Sequence, residues 1–172
     1  MAAPTLPEPL YDAALAVADR LRASGSTVAV AESAGGGLLS AALLAVPGAS
    51  AYYLGGLVVY TAAARTFLTA ALDAPSGLRG ATEPFARYEA DAVRAALGAT
   101  WGLGETGAAG PTGNGYGDPA GHAWVAVSGP ASATQQVLTG SDDRQANMAA
   151  FAGAALGLLA WALEQSSGDA QR

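Results

Sequence analysis

The stretch Thr27–Gly37, TVAVAESAGGG, decides the fold of this chain. Its first five residues are small or β-branched, which is typical of a strand buried on both faces of a parallel sheet. Three consecutive glycines close the stretch, where they allow a sharp turn and leave backbone N–H groups uncovered. Apolar residues at helical spacing then follow up to Pro47. The stretch therefore predicts a strand that passes into a helix through a tight glycine turn.

Two polar residues, Glu32 and Ser33, lie at this junction. Ligands of open α/β sheets bind where strands end, and a helix N-terminus favours negative charge. Ser33 is therefore either a nucleophile, with glycine N–H groups as oxyanion donors, or a helix-capping serine in an ordinary turn. Glu32 is a base, an anchor for a ligand hydroxyl, or a cap. The residues alone leave these alternatives open.

Length and composition indicate one globular domain. The chain has 172 residues, of which 51% are hydrophobic and 13% charged. We expect a flexible tail over 1–9, a single domain over 10–166 and a frayed terminus over 167–172. No apolar run is judged long enough to span a bilayer, and the N-terminal residues lack the pattern of a secretory signal. We therefore expect a cytoplasmic protein without a membrane partner.

Charge and missing residue types exclude several functions. The net charge is −6, and the basic residues are scattered arginines, so we expect no nucleic-acid partner. The chain has no cysteine and a single histidine, His122, which leaves little from which to build a metal site. It has no lysine either, so it contains no phosphate-binding GxxxxGK[ST] loop and no lysine base.

The order of the predicted elements indicates an α/β fold. Helices and strands alternate up to a hairpin near the C-terminus, which predicts a three-layer α/β/α sandwich with a mixed β-sheet. The predicted helices cover 10–24, 38–46, 61–72, 82–97 and a segment starting near 141; the strands cover 27–31, 57–60, 100–105, 123–128 and 134–139.

The sequence has two further glycine-rich patterns, at 102–107 and 106–121. Residues 102–107 match the dinucleotide fingerprint GxGxxG, but they open no helix, so we reject the match. The loop 106–121 either lines a site for a polar ligand such as a sugar phosphate or is a long surface loop. Glu105 and Asp118, like Glu32, each border a glycine-rich stretch.

Three separated segments resemble the C-terminal domain of the competence/damage-inducible CinA proteins. They are AESAGGGLLSAALLAVPGAS from residue 31, YYLGGLVVYTAAAR from residue 52, and ETGAAGPTG…PAGHAWVAVSG from residue 105. The usual family signature is AESCTGG, then PGSS, then a tyrosine followed five residues later by lysine, then TGIAGP. Standalone members of this family are nicotinamide mononucleotide amidohydrolases. The resemblance implies that activity, a pyridine mononucleotide as the small-molecule partner, no cofactor and a homo-oligomer.

The resemblance also implies site residues. The family's nucleophilic serine falls on Ser33, its second serine on Ser50 and its tyrosine on Tyr60, and the lysine position is Arg65. An arginine stays protonated, so Arg65 is expected to act as an electrostatic clamp rather than a base. Ser50 and Tyr60 are expected to relay protons. The expected substrate-binding residues are Glu32, Gly35, Gly36, Gly37, Thr106, Gly107, Gly110 and Pro111.

Two functions follow from these residues. In the first, Ser33 attacks the carboxamide of nicotinamide mononucleotide, and Gly35 to Gly37 form the oxyanion and phosphate cradle. In the second, the chain is a catalytically degenerate member that binds a nucleotide-like ligand or a protein partner without turnover. Arg65 at the lysine position favours the second function, whereas Ser33, Ser50 and Tyr60 favour the first.

Overall fold

The computed structural model describes residues 6–169, in which five strands form one sheet between two layers of helices. This confirms the predicted three-layer sandwich. The helices are α1 (Glu8–Ser24), α2 (Leu38–Ala45), α3 (Ala62–Thr69), α4 (Glu83–Leu97) and α5 (Arg144–Asp169), and a 3₁₀ turn covers Ala49–Ala51. The strands are β1 (Val28–Glu32), β2 (Tyr53–Val58), β3 (Trp101–Ala108), β4 (His122–Ser128) and β5 (Ala133–Leu138).

The strand order is β2-β1-β3-β4-β5. β1 pairs in parallel with both β2 and β3, with a register shift opposite Leu54, whereas β4 and β5 add to β3 as an antiparallel hairpin. The three parallel strands therefore end at the same edge of the sheet. β1 is the central strand of this parallel part and is buried along its whole length, as its apolar sequence predicts.

Each face of the sheet carries its own apolar cluster. On one face, α1, α2 and α5 pack around side chains that include Leu21, Leu43 and Trp101. On the other face, α3 and α4 cover a smaller cluster that includes Leu68, Phe85 and Val93. The helices thus form the two outer layers of the sandwich.

Gly102 and Gly104 bring α4 unusually close to β3. A Cβ atom added at Gly102 would lie 2.0 Å from the carbonyl oxygen of Ala90, and one added at Gly104 would lie 2.1 Å from that of Ala86. These glycines of the GxGxxG pattern therefore serve packing against a helix. The pattern lies within β3 and opens no helix, in agreement with its rejection as a nucleotide fingerprint.

Several boundaries differ from the prediction. β3 continues to Ala108, because Thr106, Gly107 and Ala108 pair with the start of β4. The loop predicted over 106–121 therefore begins as strand. β2 starts at Tyr53, four residues early, and α1 starts at Glu8, inside the predicted tail. Residues 1–5 and 170–172 of the predicted tail and terminus lie outside the described residues.

The expectation that no apolar run is long enough to span a bilayer needs correction. Among the described helices, α5 alone is long and apolar enough, over Arg144–Gly168, to cross a membrane by length and composition. Half of its most apolar window is buried inside this fold, where Leu156, Leu159 and Leu163 join the larger apolar cluster. Packing against the sheet accounts for the buried half of this window.

Candidate active site

A pocket of about 280 Å³ opens at the carboxyl ends of the three parallel strands. This is the edge at which the sequence predicted a ligand site. The residues that follow β1 and β2 line it together with the end of β3, and α3, the segment before α4, the loop after β3 and the start of α5 complete the walls. The lining residues are Ser33, Ala34, Val59, Tyr60, Arg65, Gly80, Ala81, Thr106, Gly107, Ala108, Ala109, Gly110, Thr112, Gly113, Asn114, Tyr116 and Arg144.

Ser33 lies half-buried on the floor of this pocket. Its hydroxyl is 3.3 Å from the carbonyl oxygen of Glu105 and 3.4 Å from Oγ1 of Thr106, to either of which it donates. Within residues 6–169, no titratable side chain hydrogen-bonds this hydroxyl. Its side chain caps no helix, so the capping interpretation of Ser33 does not describe its position.

Glu105 is a buried carboxylate that holds the serine turn from beneath. Its Oε2 accepts hydrogen bonds from the backbone N–H groups of Ser33 (3.0 Å) and Gly35 (2.7 Å). Its Oε1 is buried without a partner in the described chain. Burial raises the pKa of Glu105 to about 7, although the two N–H donors act to lower it, and nearby Glu32 contributes a smaller increase. The Glu105 carboxyl group, with a pKa of about 7, therefore holds the backbone of the turn that carries Ser33.

Glu89, on α4, is the second unusual acid near this turn. It is completely buried, and neither of its carboxylate oxygens has a hydrogen-bond partner within residues 6–169. Burial and the neighbouring Glu105 raise its pKa well above the ordinary value, while Arg65 acts in the opposite direction. Glu89 carries no signal in the sequence, because one acid among the polar residues of an amphipathic helix is ordinary until packing places it inside.

Glu32 is a cap, which settles one of the alternatives left open by the sequence. Its Oε1 accepts hydrogen bonds from the N–H and the hydroxyl of Ser40, and its Oε2 accepts them from the N–H groups of Gly37 and Leu39. These are the otherwise unsatisfied donors at the start of α2. Glu32 is fully buried and does not line the pocket, so the structure does not support its expected role in substrate binding.

The three glycines do not form the expected oxyanion and phosphate cradle. The N–H of Gly35 is bound by Glu105, that of Gly36 by the carbonyl oxygen of Ser33 (3.2 Å), and that of Gly37 by Glu32. The expectation was wrong because two buried carboxylates and a turn carbonyl use all three donors internally. Gly35 is nevertheless tightly enclosed: a Cβ there would lie 3.0 and 3.1 Å from the Oε2 atoms of Glu32 and Glu105.

Thr106 and His122 shape one wall of the pocket through Ala81. Ala81 has a left-handed backbone (φ 56°), which is uncommon for a residue with a side chain. Its N–H donates to Oγ1 of Thr106 (3.0 Å), and its carbonyl oxygen accepts from Nε2 of His122 (3.0 Å). Thr106 thus contacts both Ser33 and this wall. His122 is buried and committed to a backbone carbonyl, as a structural histidine is.

Two guanidinium groups, from Arg65 and Arg144, supply the only charges among the residues lining the pocket. Arg65 stacks over the ring of Phe85 at 4.6 Å, and its buried Nε has no partner in the described chain. Arg144 donates to the carbonyl oxygen of Gly110 at 2.7 Å. The pocket is therefore a cationic, polar cavity in a chain of net charge −6, suited to an anionic ligand.

The loop after β3 forms the rim. The side-chain amide of Asn114 donates to Asp118, and Arg79 pairs with the same carboxylate while lying 5.0 Å from the ring of Tyr116. Gly110 lines the pocket, whereas Pro111, joined to it by a cis peptide bond, is exposed beside it and does not. Tyr60 stands on the opposite rim with 63% of its surface exposed.

Ser50 is not brought to this pocket within one chain. It lies exposed in the 3₁₀ turn before β2, at the amino end of that strand, whereas Ser33 follows the carboxyl end of the neighbouring parallel strand. The six residues of β2 separate the two ends by roughly 20 Å at the usual rise per residue. Of the four expected catalytic residues, the structure therefore places Ser33, Tyr60 and Arg65 together, and of the substrate-binding set Thr106, Gly107 and Gly110.

Arg144 is the charged pocket residue that the sequence did not reveal. It comes from the first turn of α5, far along the chain from the serine turn, and no local pattern marks it. Among residues 6–169, no group of three or more His, Asp or Glu side chains is arranged to hold a metal ion.

The fold and the site define an α/β sandwich protein with a serine at the carboxyl edge of its parallel strands. A profile of the CinA C-terminal domain matches residues 11–163, so the chain belongs to the CinA family. It is 45% identical over 156 residues to a CinA-like protein of Anaeromyxobacter sp. (strain Fw109-5), covering 87% of this chain and 37% of that protein. It is 40% identical over 139 residues to one of Salinibacter ruber, covering 80% and 34%.

Solved structures agree with this assignment. A competence/damage-inducible protein from Agrobacterium tumefaciens superposes with a TM-score of 0.84 at 26% identity, over 95% of this chain and all of that one. A CinA superfamily protein from Klebsiella pneumoniae gives 0.83 at 28% identity, over 91% and 98%. The chain thus spans about a third of the length of the sequence relatives above but the full length of these structures.

Proposed function

We propose that this chain is an amidohydrolase that converts nicotinamide mononucleotide to nicotinate mononucleotide and ammonia. The observation that carries the proposal is the hydroxyl of Ser33 on the floor of a pocket whose only charged lining groups are Arg65 and Arg144. The serine supplies a nucleophile, and the guanidinium groups match a phosphate. Family membership, together with the activity that the sequence resemblance implies, selects the carboxamide substrate.

In the proposed reaction, the oxygen of Ser33 attacks the carboxamide carbon. The C–N bond then breaks, and the leaving amine takes up the serine proton to depart as ammonia. Water hydrolyses the resulting ester, which frees the acid and restores Ser33. Arg65 stabilises negative charge on the substrate, while Arg144, fixed by the carbonyl of Gly110, binds the phosphate.

The path of the serine proton is the unusual part of this reaction. Arg65 stays protonated, Glu32 caps α2, and His122 binds the carbonyl oxygen of Ala81. The Glu105 carboxylate accepts a hydrogen bond from the backbone N–H of Ser33 and does not contact the hydroxyl, so it would take the serine proton through an intervening water molecule; its pKa is raised to about 7. We expect the rate to rise with pH through about 7 as Glu105 ionises, and to lose this rise in Glu105→Gln.

One observation favours the second function, binding without turnover. The hydroxyl of Ser33 contacts only the carbonyl of Glu105 and the hydroxyl of Thr106, neither of which is a base. In that case the cationic pocket would bind nicotinamide mononucleotide and nicotinate mononucleotide but release no ammonia. Isothermal titration calorimetry with both nucleotides measures this binding separately from turnover.

Ammonia release from nicotinamide mononucleotide tests the proposal. The proteins are the wild type, Ser33→Ala, Arg65→Lys, and Ser132→Ala, in which an exposed serine is changed as a control. Release by the wild type and the control, but not by Ser33→Ala, supports the amidohydrolase. Release by Arg65→Lys alone indicates a degenerate enzyme with an intact pocket. No release by any of these proteins, with no nucleotide binding by calorimetry, refutes both the amidohydrolase and nucleotide binding without turnover.

A further inference from the structure

The rim of the pocket contains a short loop that lies outside the segments of family resemblance. The third of those segments has two parts, one ending at Gly113 and the other starting at Pro119. Residues 114–118, NGYGD, fall between the two parts, and we call them the rim loop. Asn114 and Tyr116 of this loop line the pocket. The rim loop therefore gives the pocket side chains that the shared motifs do not specify.

Hydrogen bonds between its two ends close the rim loop. Oδ1 of Asn114 accepts hydrogen bonds from the backbone N–H groups of Tyr116 (3.0 Å) and Asp118 (3.1 Å). The side-chain amide of Asn114 donates to Oδ2 of Asp118 (2.8 Å), and its backbone N–H donates to the carbonyl oxygen of the same residue (3.1 Å). Tyr116 is thus held at the tip of a loop whose base is fixed by Asn114 and Asp118.

The ring of Tyr116 is covered on one face only. The guanidinium carbon of Arg79 lies over that face, 5.0 Å from the ring centroid, and Arg79 is itself fixed because both of its terminal nitrogens donate to Asp118. Tyr116 is nevertheless 58% exposed. Since Arg79 covers one face, the other face is available to the pocket that Tyr116 lines. Such a ring is a platform on which a flat ligand group can stack.

The proposed ligand carries charges of both signs. Its phosphate is an anion, which suits Arg65 and Arg144, whereas its nicotinamide ring is a pyridinium cation, which the same guanidinium groups repel. None of the lining residues that the structure describes has a carboxylate to offset this repulsion, and two of them, Tyr60 and Tyr116, have aromatic rings. The face of an aromatic ring attracts a cation that lies within about 6 Å of its centroid.

We propose that Tyr116 is a specificity-determining residue that stacks on the pyridinium ring of nicotinamide mononucleotide and selects this charged form over the neutral, reduced form. Arg79 holds the ring in place, so stacking requires little further ordering of Tyr116. The charge of Arg79 does not cancel the attraction, because Asp118 forms an ion pair with it. Hydrogen bonds from Arg79 and Asn114 lower the pKa of Asp118, so this carboxylate is ionised at neutral pH. The inference rests on the ligand of the proposed function and does not depend on turnover.

Isothermal titration calorimetry with nicotinamide mononucleotide and its reduced form tests the inference. The two ligands share the phosphate, the ribose and the carboxamide and differ in the charge of the ring, so the ratio of their dissociation constants reports on the ring. We expect the wild type to bind the oxidised form more tightly by roughly 3-fold to 30-fold. Tyr116→Leu keeps an apolar side chain without a ring and should lose most of this preference, whereas Tyr116→Phe should keep it.

Phe67→Leu is the matched control. Phe67 is an aromatic residue that is 68% exposed, as Tyr116 largely is, but it does not line the pocket. This variant should keep the wild-type ratio of dissociation constants. Circular dichroism confirms that each variant is folded.

Four outcomes would overturn the inference. They are a wild type that binds neither ligand, a wild type that binds both equally, a preference that survives Tyr116→Leu, and a preference lost to the same extent in Tyr116→Phe, which would assign it to the hydroxyl group.

Ammonia release separates these outcomes from a failure of the proposed reaction. A wild type that prefers the oxidised form, loses the preference in Tyr116→Leu and releases no ammonia supports the role of Tyr116 and refutes turnover alone. Ammonia release from nicotinamide mononucleotide, combined with the same ratio of dissociation constants in the wild type and Tyr116→Leu, overturns the role of Tyr116 alone.

Discussion

Glu105 should make the stability of this protein fall as pH rises through neutrality. The carboxyl group is fully buried beneath the serine turn, and its pKa is raised from the ordinary value of 4.5 to about 7. Between these two pH values the folded protein keeps the proton on Glu105 whereas the unfolded chain loses it. By linkage, a state that binds more protons is favoured at low pH. The stabilising effect is complete below pH 4.5 and is lost as pH rises through about 7.

The size of the effect follows from the same two values. The interval from 4.5 to about 7, at about 1.4 kcal/mol per pH unit, corresponds to about 3 kcal/mol. This is a substantial part of the 5–15 kcal/mol that is typical of a folded domain. Glu89 acts in the same direction, because burial also raises its pKa, so a smaller fall in stability should remain when Glu105 is replaced.

Urea unfolding at pH 5 and pH 8 measures the effect in the wild type and in Glu105→Gln. Glutamine keeps an oxygen to accept the N–H groups of Ser33 and Gly35 but does not titrate. The fall in unfolding free energy between the two pH values should be about 2.5 kcal/mol smaller in Glu105→Gln than in the wild type, because part of the effect is already lost below pH 5. Glu83→Gln is the matched control: Arg87 lowers the pKa of Glu83 in the folded protein, and the unfolded chain has lost most of this proton by pH 5, so Glu83 contributes little to the fall between pH 5 and pH 8.

An equal fall of the unfolding free energy between pH 5 and pH 8 in the wild type and in Glu105→Gln would refute this prediction. It would mean that water reaches Glu105 in the folded protein or that a partner neutralises its charge. A change in the fall for Glu83→Gln would show that the comparison does not isolate the buried group.

Three further predictions concern packing, capping and ligand binding. Gly104→Ala should lower the unfolding free energy by about 3 kcal/mol, because its Cβ would meet the backbone oxygen of Ala86 at 2.1 Å. Gly157→Ala in α5 should be neutral or stabilising, because nothing lies within 4 Å of the added Cβ, and urea unfolding measures both variants. Glu32→Ala should destabilise the protein by at least about 2 kcal/mol and expose the amides of α2 to hydrogen exchange, because the Glu32 carboxylate accepts hydrogen bonds from four donors there. Unchanged hydrogen exchange at Leu39 would contradict the capping role. Arg144→Met should weaken binding of nicotinamide mononucleotide by roughly 10-fold to 100-fold in calorimetry, because it removes a charge-assisted contact to phosphate. The melting temperature should change by no more than a few degrees, and equal affinity would mean that the phosphate binds elsewhere.

The elements of this fold were largely predictable because local patterns determine them. The buried run before Ser33 specified the central strand, and α1 ends at Gly25, a residue type that readily adopts the left-handed conformation found there. The first half of β2 was not predictable, because two adjacent glycines obscure a strand pattern. The last residues of β3 were taken as loop for a similar reason, since only pairing with β4 extends the strand through Thr106.

The site was predictable in its location but not in its bonding. The predicted strand-to-helix junction placed Ser33 at the carboxyl edge of the sheet, and the resemblance pointed to Tyr60 and Arg65. The sequence could not show that the glycine N–H groups are used by buried carboxylates, since these contacts join residues as distant as Gly35 and Glu105. Ser50 was grouped with the site by resemblance alone, although it precedes the predicted strand 57–60 and so lies at the amino end of β2.

Trapping the reaction at Ser33 tests the central claim most directly. Hydroxylamine, added during reaction of the wild type with nicotinamide mononucleotide, intercepts an ester on the serine and yields the hydroxamate of the nucleotide. The proposed function predicts that the wild type releases ammonia and forms this hydroxamate, and that Ser33→Ala does neither. Ammonia release that persists in Ser33→Ala, or a wild type that forms neither product while nucleotide remains in excess, would contradict the assignment of Ser33 as the nucleophile.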